Sequence, residues 1–398
     1  MAETPPVVIV GAGIAGLTAA LALARGGRRS VVLERADHLS EVGAGIQLSP
    51  NATRILIDLG LRPALEPLAV APRELVIRDA AADRILAELP LGQGIETAYG
   101  APYWVVHRGD LQGALLDAVR RDGRIDLALG CCIEGMVPTD DGVTVDAWIG
   151  SQRRHIVGDA LIGADGVWSQ TRVKLLGGKP ARYSGRTAWR ATIPAAQAGS
   201  VAIDRLTSTT GLWLGPSAHL VHYPVRAGRD LNIIAAVDDD WIDQRWDVLG
   251  DPADLVRAFT AWPAAVRDLL ALPQAWRKWA LCAVSEPRWT KGRVALIGDA
   301  AHAMLPFVAQ GGAMAIEDAA VLATALARTD RSVEQRLKGW EAERRPRAMR
   351  VASSARDNAS TYHLSGLPAK ARNLVMQMLG PDRLLKRMDW IWGWKQAG

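Results

Sequence analysis

Cysteine is scarce in this sequence, and its placement argues against a disulfide-stabilised protein and against a protein with a cysteine-bound metal. The 398 residues include three cysteines, Cys131, Cys132 and Cys282. Their spacing matches neither a disulfide framework nor a metal-ligand motif. We therefore expect no bound metal, and we expect the protein to work in a reducing compartment such as the cytoplasm, where free thiols persist.

Long runs of charge of one sign are also missing. The 47 Lys and Arg residues nearly balance the 42 Asp and Glu residues, which leaves a formal net charge of +5 at pH 7. The basic residues are scattered, whereas a nucleic-acid-binding surface concentrates them, so nucleic acid is not an expected partner. With 49% hydrophobic and 22% charged residues, the chain has the composition of a globular enzyme, and its length favours more than one domain.

An uncharged stretch from Val7 to Ala24 has a length close to that of a membrane span or a signal sequence. No Lys or Arg precedes it, and Glu3 has the wrong sign for the start of a signal sequence. Three glycines also interrupt it, at positions 11, 13 and 16. We therefore interpret it as a buried unit and expect no membrane partner.

The stretch 7–35, VVIVGAGIAGLTAALALARGGRRSVVLER, carries the strongest functional signal. It predicts a strand, a tight turn, a helix and a second strand that ends at Glu34. Gly11 permits the turn, Gly13 lets the backbone approach a pyrophosphate, and Gly16 lets the helix pack closely on the strand. The helix N-terminus attracts phosphate charge, and Glu34 can accept hydrogen bonds from ribose hydroxyls. The stretch therefore predicts a Rossmann-type dinucleotide site.

Two further acidic residues follow apolar runs. Asp165 comes directly after the run 160–164, and Asp299 comes after the run 293–298. The carboxyl ends of strands are where α/β proteins bind ligands. Gly311-Gly312 opens a long predicted helix, whose N-terminus can stabilise negative charge on a ring carbonyl.

Two other segments near these strand ends leave alternatives open. The glycine-rich loop at Gly43 and Gly45 either approaches a ligand or simply turns, and it precedes a predicted helix 52–59 with Ser49 or Asn51 as its cap. Asp110 is a plausible cap for a helix that reaches about residue 122. Arg108, just before it, is either a ligand contact or a surface charge.

From residue 183 to about 271 the pattern changes to the alternation of antiparallel strands, followed by a predicted helix 252–272. The informative part is the run HLVHYPV that starts at His219. On a strand, His219 and Tyr223 would face one side of the sheet and His222 would face the other. A histidine that merely packs within its strand is the alternative to a catalytic one.

Three motifs now occur in order: GAGIAG with Glu34, GADG at 163–166, and GDAAH at 298–302 leading to the glycine pair. Together they resemble the single-component flavin-dependent aromatic hydroxylases, the group that contains p-hydroxybenzoate hydroxylase. The runs GAGIQLSPNATRIL, GADGVWSQTR, HLVHYPVR and GDAAHAMLPFVAQGGAMAIEDA are most similar to the branch with salicylate hydroxylase, 3-hydroxybenzoate 6-hydroxylase and 6-hydroxynicotinate 3-monooxygenase.

The resemblance implies a composite α/β (α+β) fold. It would consist of a Rossmann-type FAD-binding domain, an inserted and mostly antiparallel β-sheet substrate domain, and C-terminal helices. The implied FAD-binding segments are 1–72, 104–180 and 279–360, the substrate segments are 73–103 and 181–278, and the C-terminal helices occupy 361–398.

The resemblance also implies which residues bind FAD, without a covalent bond to it. Glycine backbone and a helix N-terminus would hold the pyrophosphate, acidic side chains the ribose and ribityl chain, and the glycine pair the pyrimidine end of the flavin. The implied set is Gly11, Gly13, Ala15, Gly16, Glu34, Arg35, Gly45, Ile46, Arg108, Asp165, Asp299, Pro306, Gly311 and Gly312. Asp165 would also serve NAD(P)H binding, Pro306 would reach the substrate side, and His302 would contact the flavin.

The implied reaction is hydroxylation of a small phenolic or N-heteroaromatic carboxylate by O2 through a flavin 4a-hydroperoxide. NADH or NADPH would be a transient co-substrate, since the sequence has no second nucleotide-binding motif. His219 and Tyr223 are the candidates for the base, and Gln47 would line the substrate side. Two alternatives are a flavin epoxidase or reductase of another substrate class and a non-catalytic FAD-binding protein. Whether the protein is a homodimer is left open.

Overall fold

The structure is a computed structural model, and it describes residues 4–39, 45–241 and 248–396. Gly43, in the loop that either approaches a ligand or simply turns, is outside the described residues. Gly45 is inside them and begins a strand.

The helices and strands follow in chain order. Up to residue 121 they are β1 (Val7–Val10), α1 (Ile14–Arg25), β2 (Ser30–Leu33), β3 (Gly45–Leu48), α2 (Pro50–Asp58), α3 (Arg62–Leu65), β4 (Glu74–Asp79), β5 (Arg84–Pro90), α4 (Gly92–Tyr99), β6 (Trp104–His107) and α5 (Arg108–Arg121). The central part contains β7 (Ile125–Ala128), β8 (Cys131–Pro138), β9 (Val143–Ile149), β10 (Gln152–Gly158), β11 (Ala160–Gly163), α6 (Gln170–Leu176), β12 (Arg182–Pro194), β13 (Thr210–Gly215), β14 (Ala218–Val225) and β15 (Asp230–Asp238). The last part contains β16 (Val248–Gly250), α7 (Pro252–Ala258), α8 (Ala264–Ala271), β17 (Trp276–Ala283), β18 (Thr290–Lys291), β19 (Val294–Leu296), α9 (Asp299–His302), α10 (Gly311–Ala327), α11 (Val333–Tyr362), α12 (Gly366–Lys386) and α13 (Asp389–Trp392).

The first sheet is the predicted Rossmann unit. Its order in the described chain is β18-β19-β11-β1-β2-β7, and β1 pairs in parallel with both β2 and β11. All four residues of β1 are buried, as expected for a strand covered on both faces. Because β1, β2, β11 and β19 run in parallel, their carboxyl ends meet at one edge. That edge therefore gathers the segments with Gly11, Glu34, Asp165 and Asp299.

The second large sheet is mostly antiparallel and has the order β16-β17-β12-β15-β14-β13-β4-β5 in the described residues. Its strands come from residues 74–90, 182–250 and 276–283, so they interrupt the strands of the parallel sheet along the chain. The mixed α/β fold class is confirmed. The residue limits proposed for the individual domains stay a prediction.

Two local expectations, a continuous helix 252–272 and Asp110 as a cap, were wrong, and the expected cap at Ser49 was confirmed in its position only. The predicted helix 252–272 is broken into α7 and α8, because Pro263 begins a new helix instead of continuing the first. Ser49 occupies the N-cap of α2, but its hydroxyl donates to Asn51 Oδ1 at 2.6 Å instead of capping the helix. His107, not Asp110, caps α5, since its Nδ1 accepts from the Gly109 N–H at 3.2 Å.

The C-terminal helices dock on the body of the protein, as expected. Trp392 on α13 is buried, and the Arg54 guanidinium donates to the Trp394 carbonyl at 2.6 Å. α12 changes direction at Gly380, whose φ is +69°. None of the helices in the described ranges combines the length and the apolar composition that a membrane crossing requires.

Candidate active site

The glycine-rich turn after β1 has the predicted geometry. Gly11 has a φ of +105°, a conformation that favours glycine. A Cβ added to Gly16 would lie 1.9 Å from the Gly11 carbonyl oxygen, so only glycine lets α1 begin this close to the turn. A Cβ on Gly13 would meet nothing within 4 Å, which leaves the backbone open on that side. The first turn of α1, which includes Ala15, also has N–H groups without intrahelical acceptors.

Glu34 is held beside this turn by two backbone hydrogen bonds. Its Oε2 accepts from the Ala12 N–H at 2.7 Å, and its Oε1 accepts from the Ala36 N–H at 2.9 Å. Each carboxylate oxygen retains a further lone pair for a ribose hydroxyl. The next residue, Arg35, is exposed at the same edge.

Asp165 lies against the turn and fastens the following helix. Its carboxylate accepts from the Ser169 hydroxyl at 2.6 Å and from the Thr171 N–H and hydroxyl at 2.9 and 3.0 Å. A Cβ on Gly11 would lie 2.5 Å from the carbonyl oxygen of Ala164 and 3.2 Å from the Cα of Asp165. The carboxylate therefore positions the N-terminus of α6, and its direct contact with a nucleotide stays a prediction.

Asp299 approaches the same turn from β19. Gly298 has a φ of +58°, and a Cβ there would lie 3.1 Å from the side chains of both Ala15 and Ala315. Because Gly298, Ala15 and Ala315 are all small, the segment that follows β19 can lie between α1 and α10. It brings the half-buried Asp299 next to the first turn of α1.

A buried polar network joins the start of α10 to β3 and α2. The Gln310 amide donates to the Ser49 hydroxyl at 2.8 Å, and the Asn51 amide donates to Gln310 Oε1 at 3.1 Å and to Glu317 Oε1 at 2.7 Å. Its effect is to set β3 against the N-terminus of α10. A Cβ on Gly312 would lie 2.6 Å from the Ile46 side chain.

The other predicted cofactor residues lie at the margins of this edge. Arg108 is the first residue of α5, and Gln112 on the same helix donates to the Ala12 carbonyl at 3.3 Å. Gly311 begins α10, and a Cβ there would meet nothing within 4 Å. Pro306 is exposed in the loop before α10.

These elements fit an extended dinucleotide with a flavin ring. The open backbone at Gly13, the acid at Glu34 and the free helix N-termini of α1 and α10 supply donors and acceptors where phosphate, ribose and ring carbonyls need them. In the described part of the chain, no group of three His, Cys, Asp or Glu side chains is arranged to hold a metal ion.

The residues predicted to line the substrate side lie on one face of β14. The His219 ring lies 4.8 Å from that of Phe307, in the loop before α10. A Cβ on Gly45 would lie 2.3 Å from the Tyr223 ring, so this ring packs directly on β3. His222 points to the opposite face, where its Nε2 lies against Gly211. The predicted strand register is therefore confirmed.

Two polar residues near Tyr223 had escaped the sequence analysis. Tyr103 donates its hydroxyl to Gln47 Oε1 at 2.5 Å. Asn232, opposite Tyr223 on β15, accepts from the Gly45 N–H at 2.8 Å. Its buried Nδ2 has no hydrogen-bond partner among the described residues. No motif marks either residue. Tyr103 comes just before β6 and is brought to Gln47 by the pairing of β6 with β3, and Asn232 is brought to Tyr223 by the pairing of β15 with β14.

Burial sets the protonation of the two candidate bases. Desolvation, together with the nearby His363 and Arg186, holds the pKa of His219 well below its usual value, so the ring is neutral at pH 7 and can accept a proton. Burial raises the pKa of Tyr223 above its usual value, even though Arg190 partly opposes this shift. Tyr223 therefore remains protonated and can only donate, so that His219 stays the candidate base of the pair.

His302 does not take the expected place against the flavin. Its ring is fully buried, lies 4.8 Å from the Trp289 ring, and pairs with Asp318 through Nε2 at 2.5 Å. Asp318 also pairs with the buried Arg344 at 3.0 Å. His302 thus ties α9 to α10 and α11, and it has no accessible surface to offer a ligand.

Comparisons with known proteins show the family of this chain. The model of the FAD binding domain family matches residues 4–355. A 3-hydroxybenzoate 6-hydroxylase of Klebsiella oxytoca is 33% identical over 100% of this chain and 98% of its own length. A 6-hydroxynicotinate 3-monooxygenase of Bordetella bronchiseptica is 33% identical over 90% of this chain and 92% of its own.

A solved structure extends the likeness to the fold. A salicylate hydroxylase in complex with its substrate superposes with a TM-score of 0.82 at 25% identity, covering 98% of this chain and 96% of the other. The family match spans the glycine-rich turn, the strand ends and the glycine pair. The chain therefore belongs to the FAD-binding family that includes these hydroxylases, and it is an FAD-dependent aromatic-ring monooxygenase.

Proposed function

We propose that the protein hydroxylates a small aromatic or N-heteroaromatic carboxylate that carries a ring hydroxyl, of the 3-hydroxybenzoate, salicylate or 6-hydroxynicotinate type. NADH or NADPH is the reductant and O2 is the oxygen donor. One observation carries this proposal. The neutral, buried His219 and Tyr223 lie on the same face of β14, where His219 contacts the loop before α10 and Tyr223 contacts β3.

In this proposal His219 removes the proton from the ring hydroxyl of the substrate. An aromatic ring bearing O⁻ is more nucleophilic than the phenol, so proton removal prepares the ring for attack by an electrophilic oxygen. Bound FAD supplies the redox chemistry that activates O2. Four residues along a strand span about 13 Å, so Tyr223 reaches a different part of the substrate or the adjoining loop.

Gln47 and its neighbours set the other wall of the substrate space. The hydrogen bond from Tyr103 fixes the Gln47 side chain, and the Asn232 amide holds the backbone of Gly45. Fixing these groups excludes water and orients the substrate without a change of shape on binding. In this proposal, Pro306 and Ile46 complete the wall that faces the aromatic ring of the substrate.

The experiment that tests this function is a substrate panel. NADH and NADPH oxidation is measured with the FAD-loaded enzyme alone and with 3-hydroxybenzoate, salicylate and 6-hydroxynicotinate, and the products are identified by mass. We expect one of these compounds to stimulate oxidation and to gain one oxygen atom. Equal oxidation with and without every compound would overturn the substrate class, and an epoxide product would favour the alternative reaction.

The location and assembly belong to the same proposal. We assign the protein to the cytoplasm as a homodimer whose partners are its small substrates, with no membrane or nucleic acid. The mass of the FAD-loaded enzyme in solution, measured by light scattering at micromolar concentration, tests the dimer. A mass of one chain would contradict it.

A further inference from the structure

A second histidine lies directly behind His219. His219 Nδ1 is 2.9 Å from Nε2 of His363, a residue that lies 144 positions away at the end of α11. The other ring nitrogen of His363, Nδ1, is 2.8 Å from Asp238 Oδ1. Asp238 stands on the same face of the sheet as His219, because His219 pairs with Ala236, two residues before it on β15.

His219, His363 and Asp238 form a hydrogen-bonded row, and the exposed fraction of the side chains rises along this row. His219 is 3% exposed, the His363 side chain is 4% exposed, and the Asp238 side chain is 41% exposed. The row therefore connects a base in the interior with a carboxylate that water reaches. Both ring nitrogens of His363 are engaged, one toward each neighbour, which is the arrangement that lets an imidazole accept a proton on one side and release one on the other.

The charged groups around the row favour an ionised carboxylate at its outer end. Arg186 on β12 contacts Asp238 at 2.9 Å. Partial burial opposes ionisation of Asp238, but His363 and Arg186 outweigh it, so the pKa of this carboxyl lies below its usual range. The next residue, Asp239, follows the end of β15 and is neutralised by Lys278 at 2.7 Å.

On the side of α11, the row faces side chains that are uncharged or that donate hydrogen bonds to backbone carbonyls. The Tyr362 ring lies 5.4 Å from that of His219, and its hydroxyl donates to the Phe307 carbonyl at 3.2 Å. Arg372 on α12 donates to the carbonyls of Thr361 and Tyr362 at 2.9 and 3.1 Å. These contacts hold the end of α11 against the sheet and keep His363 in place.

We propose that His363 is a positioning and proton-relay residue that carries the substrate proton from His219 to Asp238 and the solvent. His219 takes the proton as the substrate O–H bond breaks and an N–H bond forms on its free nitrogen. The Nδ1 proton of His219 moves to Nε2 of His363, and the Nδ1 proton of His363 moves to Asp238 and then to water. No electrons are exchanged, and each imidazole ring gains one proton and loses one, so both rings stay neutral and change tautomer. The relay rests on the proposed function, since it requires His219 to be the base.

A purely structural role for His363 makes a different prediction. As the C-cap residue that follows α11, it also accepts from the Ser217 N–H through its carbonyl at 3.3 Å. If the side chain only fastened this helix end, its replacement would lower the melting temperature and leave the rate of proton release unchanged. The two roles therefore separate in one experiment.

The test measures proton release when 3-hydroxybenzoate is mixed rapidly with the oxidised, FAD-loaded enzyme in weak buffer containing a pH indicator. His363→Gln keeps a donor for Asp238 but cannot relay a proton. We expect release to slow about 10–100-fold, the usual cost of losing the partner that orients a functional histidine. In His363→Ala, added imidazole should restore the rate. Asp238→Asn should also slow release, with the same melting temperature as the parent.

The chain offers a matched control. His155 Nδ1 lies 2.8 Å from Asp146 Oδ1, a pair of the same kind that is exposed and belongs to β9 and β10. His155→Gln should leave proton release unchanged.

Three outcomes separate the two claims. An unchanged rate in His363→Gln, or failure of imidazole to rescue His363→Ala, overturns the relay while His219 can remain the base. An unchanged rate in Asp238→Asn removes Asp238 from it. If His219→Ala releases the proton as fast as the parent with 3-hydroxybenzoate, salicylate and 6-hydroxynicotinate, the proposed base itself is wrong.

Discussion

His219 and His222 are two buried histidines on one strand with opposite surroundings. His219 faces Phe307, whereas His222 faces Gly211 on the other side of the sheet. A general base contributes about 10²–10⁴-fold to a rate, so His219→Ala should slow hydroxylation by a factor in that range. Flavin reduction by NAD(P)H should persist, because it does not need this proton transfer.

The measurement is hydrogen peroxide formed per NAD(P)H consumed. It should rise in His219→Ala, since activated oxygen that meets an unreactive ring is lost as peroxide. His222→Ala is the control for mutating a buried histidine on the same strand. Full coupling in His219→Ala together with uncoupling in His222→Ala would show that the base is assigned to the wrong face.

Glu34 is predicted to bind the cofactor and to have no part in the reaction. Its carboxylate already holds the Ala12 N–H at 2.7 Å and is expected to accept from the adenosine ribose. Glu34→Ala should weaken FAD binding by about 1–3 kcal/mol, the range for lost hydrogen bonds to a charged group. Titration of the apoprotein with FAD, followed by flavin fluorescence, checks this. At saturating FAD the hydroxylation rate should match that of the parent, and an unchanged FAD affinity would remove Glu34 from the ribose site.

At the scale of the element, the start of α1 depends on a glycine that packs against backbone. A Cβ on Gly16 would lie 1.9 Å from the Gly11 carbonyl oxygen, so Gly16→Ala must push the helix away from the turn. We expect this overpacking to cost about 1–3 kcal/mol and to weaken FAD binding. Equilibrium dialysis with FAD and thermal unfolding measure the two effects.

Gly113 on α5 is the matched control, because a Cβ there meets nothing within 4 Å. Gly113→Ala should leave FAD binding unchanged and stabilise the helix by about 0.5–1 kcal/mol. Equal effects of the two substitutions on FAD affinity would mean that the contact between Gly16 and Gly11 does not shape the cofactor site.

The elements that the sequence predicted best are those whose causes are local. β1, the glycine-rich turn and α1 follow from neighbouring residues, and the face of β14 follows from the two-residue period of a strand. Helix ends were less predictable, because His107 and Pro263 compete with better-known caps. The sequence does not reveal His363, since its partner is 144 residues away and only the fold joins them.

The protein as a whole should be sensitive to acid, because it buries neutral histidines. Burial and the nearby Arg78 lower the pKa of His222 from 6.5 to about 3, and burial also lowers the pKa of His107 and His219. The unfolded chain binds these protons more readily. Above pH 6.5 these histidines therefore do not lower the free energy of unfolding. The free energy of unfolding falls as the pH drops from 6.5 toward 3. For His222 alone the loss at pH 5 is about 2 kcal/mol.

Urea unfolding of the FAD-loaded protein at pH 7 and pH 5 measures this loss. His222→Leu removes one of the titrating groups, so its unfolding free energy should fall less between the two values than that of the parent. His155→Gln, at an exposed position, should behave as the parent does. An equal fall in His222→Leu and the parent would show that His222 is not the source of the acid sensitivity.

The central claim is that the whole molecule directs one atom of O2 into a hydroxylated aromatic carboxylate. The most direct test supplies the FAD-loaded enzyme with NAD(P)H, ¹⁸O2 and the compound of the panel that stimulates oxidation, and measures the mass of the product. The account predicts one ¹⁸O atom in each product molecule and nearly one product per NAD(P)H consumed. A product without ¹⁸O, or consumption of NAD(P)H that yields only hydrogen peroxide with every compound of the panel, would contradict it.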